Sequence, residues 1–143
     1  MKQAVSQSLL ILALAVVLSV VAFVLRPEAL PWSATEHEVD LEAARLLDGA
    51  LWVDARVEED FKRGHLNGAI SVNEENWEMG FMALLEVWTP GSPIVVYCSS
   101  QSCLRSHHVA ERLREELGVE EAFALDGGWE AMVEVGLVEG GDR

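Results

Sequence analysis

The sequence of 143 residues is poor in positive charge. It holds 10 Lys and Arg against 24 Asp and Glu, which gives a formal net charge of −14 and a pI near 4.5. Binding to nucleic acid or to an anionic membrane surface needs clustered basic residues, so the composition argues against both. No acidic residue occurs before Glu28, so the negative charge belongs to the part that follows. The length is sufficient for one domain with a hydrophobic core.

Charge of either sign is missing from the apolar run Leu9–Leu25. With the uncharged residues before it, this run is roughly twenty residues long, enough to cross a bilayer as a helix. The alternative is a cleaved signal peptide, but the run is long for a signal core and no small-x-small cleavage site follows it. The pattern favours a transmembrane anchor at 1–26, a linker at 27–36, and a domain held on the extracytoplasmic side of the membrane.

From residue 37 onward, strand and helix patterns alternate. Short apolar runs typical of buried strands occur at 51–53, 69–72, 94–97 and 122–125. Helical spacing covers 39–47, 57–62, 75–88, 106–117 and 129–135. Strands that alternate with helices pair in parallel, so we expect an α/β fold with a parallel sheet of four to five strands and helices on both faces. Active sites of such sheets lie beyond the carboxyl ends of the strands, where Asp54 and Cys98 occur.

Cys98, one of two cysteines in the chain, directly follows the apolar run at 94–97. Small polar residues and then a helix pattern come after it. This order directs backbone N–H groups and the positive end of a helix dipole at the thiol. The pKa of a thiol in such a place falls, so Cys98 is a candidate nucleophile. The competing interpretation is a buried cysteine that serves only as a small hydrophobe.

Three motifs, in this order along the chain, resemble those of the rhodanese family. Asp54-Ala55-Arg56, then Phe61, then Gly64-His65-Leu66-Asn67-Gly68-Ala69, is similar to its Asp-x-Arg, Phe and Gly-His-x-x-Gly-Ala pattern. Cys98 resembles its sulfur-carrying cysteine, and Leu125-Asp126-Gly127-Gly128-Trp129 resembles its C-terminal Gly-Gly region. The resemblance covers roughly residues 37 to 139, and it implies a rhodanese-like domain at 37–143 preceded by the anchor.

The resemblance implies a sulfurtransferase. Cys98 would accept a sulfane sulfur as a persulfide from a small donor, such as thiosulfate or a protein persulfide, and pass it to a thiol acceptor without a cofactor. The active-site loop would comprise Ser99, Ser100, Gln101, Ser102, Cys103, Leu104 and Arg105. Its N–H groups would stabilise the persulfide anion, and Arg105 would attract an anionic donor. The loop is longer than in common single-domain members, and Gln101 replaces the family glycine. The alternative is therefore a non-catalytic or thiol-redox module that binds a partner protein at the membrane.

The remaining motif residues favour structural roles. Asp54 and Arg56 are placed to form a charge-assisted pair that ties a loop to the sheet. His65 is typical of a turn anchor, because persulfide chemistry starts from a preformed thiolate and needs no general base. The glycines supply backbone freedom at turns, and Trp129 favours the core. The glycines of these motifs are Gly68, Gly127 and Gly128.

The second cysteine, Cys103, lies within the loop that follows Cys98. Cysteine pairs tend to oxidise outside the cytoplasm, so we expect the two to form a labile internal disulfide that blocks sulfur transfer. Cys103 is also a candidate resolving thiol, which would release sulfide from a Cys98 persulfide. The alternative is a packing residue of the first helical turn. With His107 and His108 the cysteines match no common zinc spacing, so no metal site is expected.

Overall fold

A computed structural model describes residues 37–100 and 103–138, which belong to one compact unit. Its strands are β1 (Glu38–Val39), β2 (Leu51–Asp54), β3 (Ile70–Ser71), β4 (Ile94–Tyr97) and β5 (Ala122–Leu125). They form one parallel sheet of five strands in the order β1-β5-β4-β2-β3. Val96 of β4 lies opposite Val53 of β2 and Ala124 of β5, which makes β4 the central strand. The predicted parallel α/β sheet is confirmed.

The helices of the described residues are α1 (Leu41–Leu46), α2 (Glu58–Arg63), α3 (Trp77–Val87), α4 (Arg105–Leu117) and α5 (Gly128–Glu134), with a 3₁₀ turn at Glu74–Asn76. Helices α1 to α4 connect successive strands, and α5 follows β5. Successive side chains of a strand point to opposite faces of the sheet. Along β4, Ile94 and Val96 join one buried cluster with α3 and α4, whereas Val95 and Tyr97 join another with α1 and α5. Helices on both faces of the sheet are therefore also confirmed.

The helix predicted over 39–47 begins later than expected, at Leu41. Val39 belongs instead to the edge strand β1, where it lies opposite Leu125, and its carbonyl accepts the N–H of Asp126 at 2.9 Å. Asp40 starts α1, because its carboxylate accepts the N–H of Ala43 at 2.9 Å. The prediction was wrong at Val39 because pairing with β5 outweighs the local helical spacing. A strand of two residues is also too short to show the alternating pattern by which strands are recognised in a sequence.

The predicted anchor at 1–26 and linker at 27–36 lie outside the described residues. Across 37–100 and 103–138, no helix has the length and apolar character needed to span a membrane. The anchor therefore stays a prediction.

Helix α3 packs tightly against the end of β3 at Gly80. A Cβ at this position would lie 2.5 Å from the carbonyl oxygen of Ser71 and 2.9 Å from the Cα of Val72. Both atoms belong to the backbone at the end of β3, which cannot move aside as a flexible side chain does. The absence of a side chain at Gly80 therefore sets the distance between α3 and the sheet.

We expect Gly80→Ala to lower the free energy of unfolding by about 1–3 kcal/mol, the usual cost of overpacking a core. The direction is opposite to helix propensity, which favours Ala over Gly by roughly 1 kcal/mol. Urea unfolding followed by circular dichroism measures the difference. Gly64→Ala is the matched control, because no atom lies within 4 Å of a Cβ built there. Unchanged stability of Gly80→Ala would show that α3 is free to shift at this contact.

Candidate active site

Cys98 follows β4 directly and is 1% exposed. It thus lies beyond the carboxyl end of the central strand, where active sites of parallel sheets occur. Its carbonyl accepts the N–H of Trp129 at 2.7 Å, and the carbonyl of Ser99 accepts the N–H of Glu130 at 3.2 Å. These two hydrogen bonds hold the start of the loop against the first turn of α5.

Gly128 allows this contact between α5 and the loop. A Cβ there would lie 2.5 Å from the carbonyl oxygen of Cys98, and the backbone of Gly128 has a φ of 53°, in the left-handed region. The preceding Gly127 has a φ of 72°, and Gly68 has a φ of 84°. The turn roles predicted for the three motif glycines are therefore present, but Gly128 also has a close-approach role that its backbone freedom alone does not explain.

A disulfide joins Cys98 to Cys103, with their Cα atoms 6.1 Å apart. This separation is ordinary for a disulfide, so the loop folds back as the predicted pairing requires. The N–H of Cys103 donates to the carbonyl of Ser100 at 3.1 Å, and the Ser106 hydroxyl donates to the carbonyl of Cys103 at 3.4 Å. The N–H of Cys103 is thus engaged within the loop. Gln101 and Ser102, two other predicted loop residues, lie outside the described residues.

The pair expected of Asp54 and Arg56 is present and buried, with side chains 0% and 6% exposed. The guanidinium donates from Nη2 to Oδ2 at 2.7 Å and from Nε to Oδ1 at 3.0 Å. Nη2 also donates to the carbonyl of Gly64 at 2.6 Å, which ties the loop after α2 to the end of β2. Burial acts to lower the pKa of Arg56, but the hydrogen bonds and charge of Asp54 outweigh it and leave that pKa raised.

Two aromatic rings pack beside this ion pair. The guanidinium carbon of Arg56 lies 3.9 Å from the ring centroid of Trp129 and 5.6 Å from that of Tyr97. The two rings lie 6.1 Å apart. A guanidinium over an aromatic face is attracted by the ring quadrupole. Trp129 is half-buried and packs against the core, as predicted, while it also links α5 to the ion pair.

The profile of the Rhodanese-like domain family matches residues 37–134. This chain belongs to the rhodanese-like family. The match contains the Asp54–Arg56 pair, Cys98 and the Gly127-Gly128-Trp129 segment. No curated protein matches the chain at a significant level.

Two solved structures share the rhodanese-like fold seen here. The BH2092 protein from Bacillus halodurans is 25% identical, with a TM-score of 0.57, and the alignment covers 74% of this chain and 78% of that chain. The rhodanese-like domain of the Alr3790 protein from Anabaena is 22% identical, with a TM-score of 0.56, over 71% of this chain and 76% of that chain. For the Alr3790 domain, at 22% identity, the likeness shows a shared fold and nothing about function.

Sequence reasoning missed the role of Tyr97 in the rhodanese-like domain. Its side chain is fully buried, and its hydroxyl accepts the N–H of Leu66 at 3.2 Å. Burial, reinforced by the negative charge of Asp54, raises the pKa of Tyr97 well above its ordinary value. A signal was present, because a tyrosine inside an apolar strand needs a partner for its hydroxyl when buried.

The other predicted residues lie at the rim of the domain. His65 acts as the expected turn anchor, since its Nδ1 lies 2.9 Å from the Phe61 carbonyl and its ring stacks on Phe61 at 3.9 Å. Leu104 and Arg105 are exposed at the start of α4. The histidines of α4 lie beside acids, His107 at 3.5 Å from Glu38 and His108 at 3.1 Å from Glu74. Within the described part of the chain, no group of three or more His, Cys, Asp or Glu is placed to hold a metal ion.

Tyr97 is the only tyrosine in the chain, so tyrosinate absorbance reports its ionisation directly. We expect the folded domain to keep this phenol protonated at about pH 10, where a phenol of the urea-unfolded chain ionises. Because the pKa is raised on folding, the stability gained from the neutral phenol is fully present below about pH 10 and is lost as the pH rises toward the folded-state pKa. Full ionisation of the native protein near pH 10 would show that the Tyr97 hydroxyl is open to water.

Proposed function

We propose that this rhodanese-like domain is a sulfurtransferase whose nucleophile is Cys98. In its reduced form, Cys98 accepts a sulfane sulfur from a donor such as thiosulfate or a protein persulfide and passes it to a thiol acceptor. The observation that carries the proposal is the position of Cys98, buried at the carboxyl end of the central strand of a rhodanese-like domain. A cysteine kept only for packing has no need of this position.

The surroundings of Cys98 favour a thiolate. Helices α4 and α5 both begin beside the loop that carries Cys98, and the N–H of Trp129 already contacts the Cys98 carbonyl. Helix N-termini stabilise negative charge, which would favour the thiolate of reduced Cys98. The first turn of α4 contains no acid to oppose this effect, and it begins with Arg105.

The charges around the loop support an anionic donor. The charge of Arg56 is matched by the carboxylate of Asp54, so its guanidinium has a structural role. Arg105 is exposed beside the loop, where a positive charge attracts anions over several ångströms. The chain as a whole has a formal net charge of −14, which repels small anions. We therefore propose that Arg105 attracts thiosulfate to the site.

The test of the nucleophile uses two single-cysteine variants, each reduced and then treated with thiosulfate. Cys103→Ser is expected to gain the mass of one sulfur atom, because its remaining thiol is Cys98. Cys98→Ser is expected to gain none, since Cys103 begins a loop–helix junction and does not end a strand of the sheet. Intact-mass spectrometry, repeated after a reductant is added, measures the adduct. A labile sulfur adduct on Cys98→Ser would show that the nucleophile is assigned to the wrong residue.

The second candidate function is a thiol-redox module that binds a partner protein. The observation that favours it is the disulfide between Cys98 and Cys103, which gives the loop a two-electron couple. The same two variants separate the candidates. If Cys103→Ser takes up no sulfur from thiosulfate or polysulfide, while the wild-type disulfide opens and closes with a dithiol reagent, the redox module is the better description.

For the location of the domain, we propose the membrane anchor at 1–26 with the domain on the extracytoplasmic side. The uncharged run Leu9–Leu25 supports the anchor, and an oxidising compartment is where a disulfide such as Cys98–Cys103 persists.

The expressed full chain is expected to stay with membranes through high-salt and carbonate washes, because a membrane-spanning helix resists both. Fractionation and immunoblotting follow it, with a chain that begins at residue 37 as the control expected in the soluble fraction. A shortened soluble form that begins near Ala34 would show instead that the segment is a cleaved signal peptide.

A further inference from the structure

We propose that Cys103 resolves the Cys98 persulfide by attacking Sγ of Cys98, so that the domain releases the carried sulfur as sulfide and closes the Cys98–Cys103 disulfide. The inference rests on the proposed sulfurtransferase function and names what happens after the persulfide forms, with the Cys103 thiol acting in place of an external thiol acceptor. The disulfide is then a product of each turnover, as well as a form that adventitious oxidation produces.

The geometry brings the two sulfurs together with the rest of the site in place. The disulfide coexists with the Trp129 hydrogen bond to Cys98, the Ser106 hydrogen bond to Cys103 and the buried Asp54–Arg56 pair. Attack by Cys103 on Cys98 therefore requires no rearrangement of β4, α4 or α5. An internal thiol held in this way has an effective concentration far above that of an acceptor in solution.

Exposure also favours attack by the internal thiol, Cys103. Cys98 is 1% exposed, whereas Cys103 is only partly buried. In the disulfide form Cys98 is the more shielded of the two sulfurs, so a thiol from solvent has readier access to Cys103. External thiols then act at a later stage, as reductants of the disulfide.

The step balances without another co-reactant. The Cys103 thiolate attacks Sγ of Cys98, the bond between that Sγ and the sulfane sulfur breaks, and hydrosulfide leaves with the electron pair. The sulfane sulfur is reduced to sulfide, and the two cysteine sulfurs are oxidised to the disulfide. A dithiol reductant then returns both cysteines to thiols.

The experiment gives one equivalent of thiosulfate to the reduced domain under anaerobic conditions, after the reductant has been removed. The wild type is expected to release sulfide and to form the Cys98–Cys103 disulfide in equal amounts. Cys103→Ser is expected to stop at the persulfide, with the added sulfur retained and sulfide release lost. Methylene-blue assay measures sulfide, and intact mass after alkylation measures disulfide and persulfide in the same sample.

A control moves the second thiol by one position, in the double variant Cys103→Ser with Leu104→Cys. Leu104 is 65% exposed, so the substitution removes no core contact. We expect this variant to retain the sulfur as Cys103→Ser does, because the thiol no longer occupies the position from which the disulfide forms. Sulfide release equal to that of the wild type would overturn the positional argument.

The outcomes separate this inference from the function on which it rests. If Cys103→Ser loads sulfur and the wild type also keeps it, with no sulfide and no disulfide, the resolving role of Cys103 is overturned and the sulfurtransferase stands. If Cys103→Ser, shown by circular dichroism to be folded, takes up no sulfur at all, the sulfurtransferase itself is overturned, and this inference fails with it.

Discussion

The buried ion pair of Asp54 and Arg56 is the interaction on which the site depends. Arg56 links the end of β2 to the Gly64 carbonyl and lies against the ring of Trp129. The backbone N–H of Trp129 in turn holds the carbonyl of Cys98. Burial of two charges is costly unless their hydrogen bonds are satisfied, and loss of one partner from such a pair typically costs about 3–5 kcal/mol. The ion pair is therefore connected to the cysteine loop through Trp129.

This arrangement gives Arg56 a structural role and leaves it outside the proposed reaction of the cysteines. The charge of Arg56 is matched by Asp54, and its guanidinium holds the loop after α2 to the end of β2. In the proposed reaction the reactive groups are Cys98 and Cys103, which lie beside the ends of α4 and α5. The buried strand β4 and the hydrogen bond from Trp129 hold Cys98, the proposed nucleophile, in position below the short loop.

The disulfide is better suited to a reaction than to stabilisation of the fold. It closes a loop with a sequence separation of 5, and the entropy removed from the unfolded chain by so short a loop is small. The sheet beneath it has its own support, since all four residues of β4 are fully buried. Opening of the bond is therefore compatible with an intact domain, which a cycling thiol pair requires.

Much of the fold and part of the site were predictable, because the apolar runs of β2, β4 and β5, the alternating helices and the position of Cys98 are local patterns. Three features could not be predicted, because each joins segments that are distant in the chain. They are the two-residue strand β1, the hydrogen bond between the Tyr97 hydroxyl and Leu66, and the stack of Arg56 on Trp129. The sequence by itself determined the α/β class and the residue types at the sheet edge. Only the tertiary structure decided which partners meet, since those contacts depend on how the helices pack across the sheet.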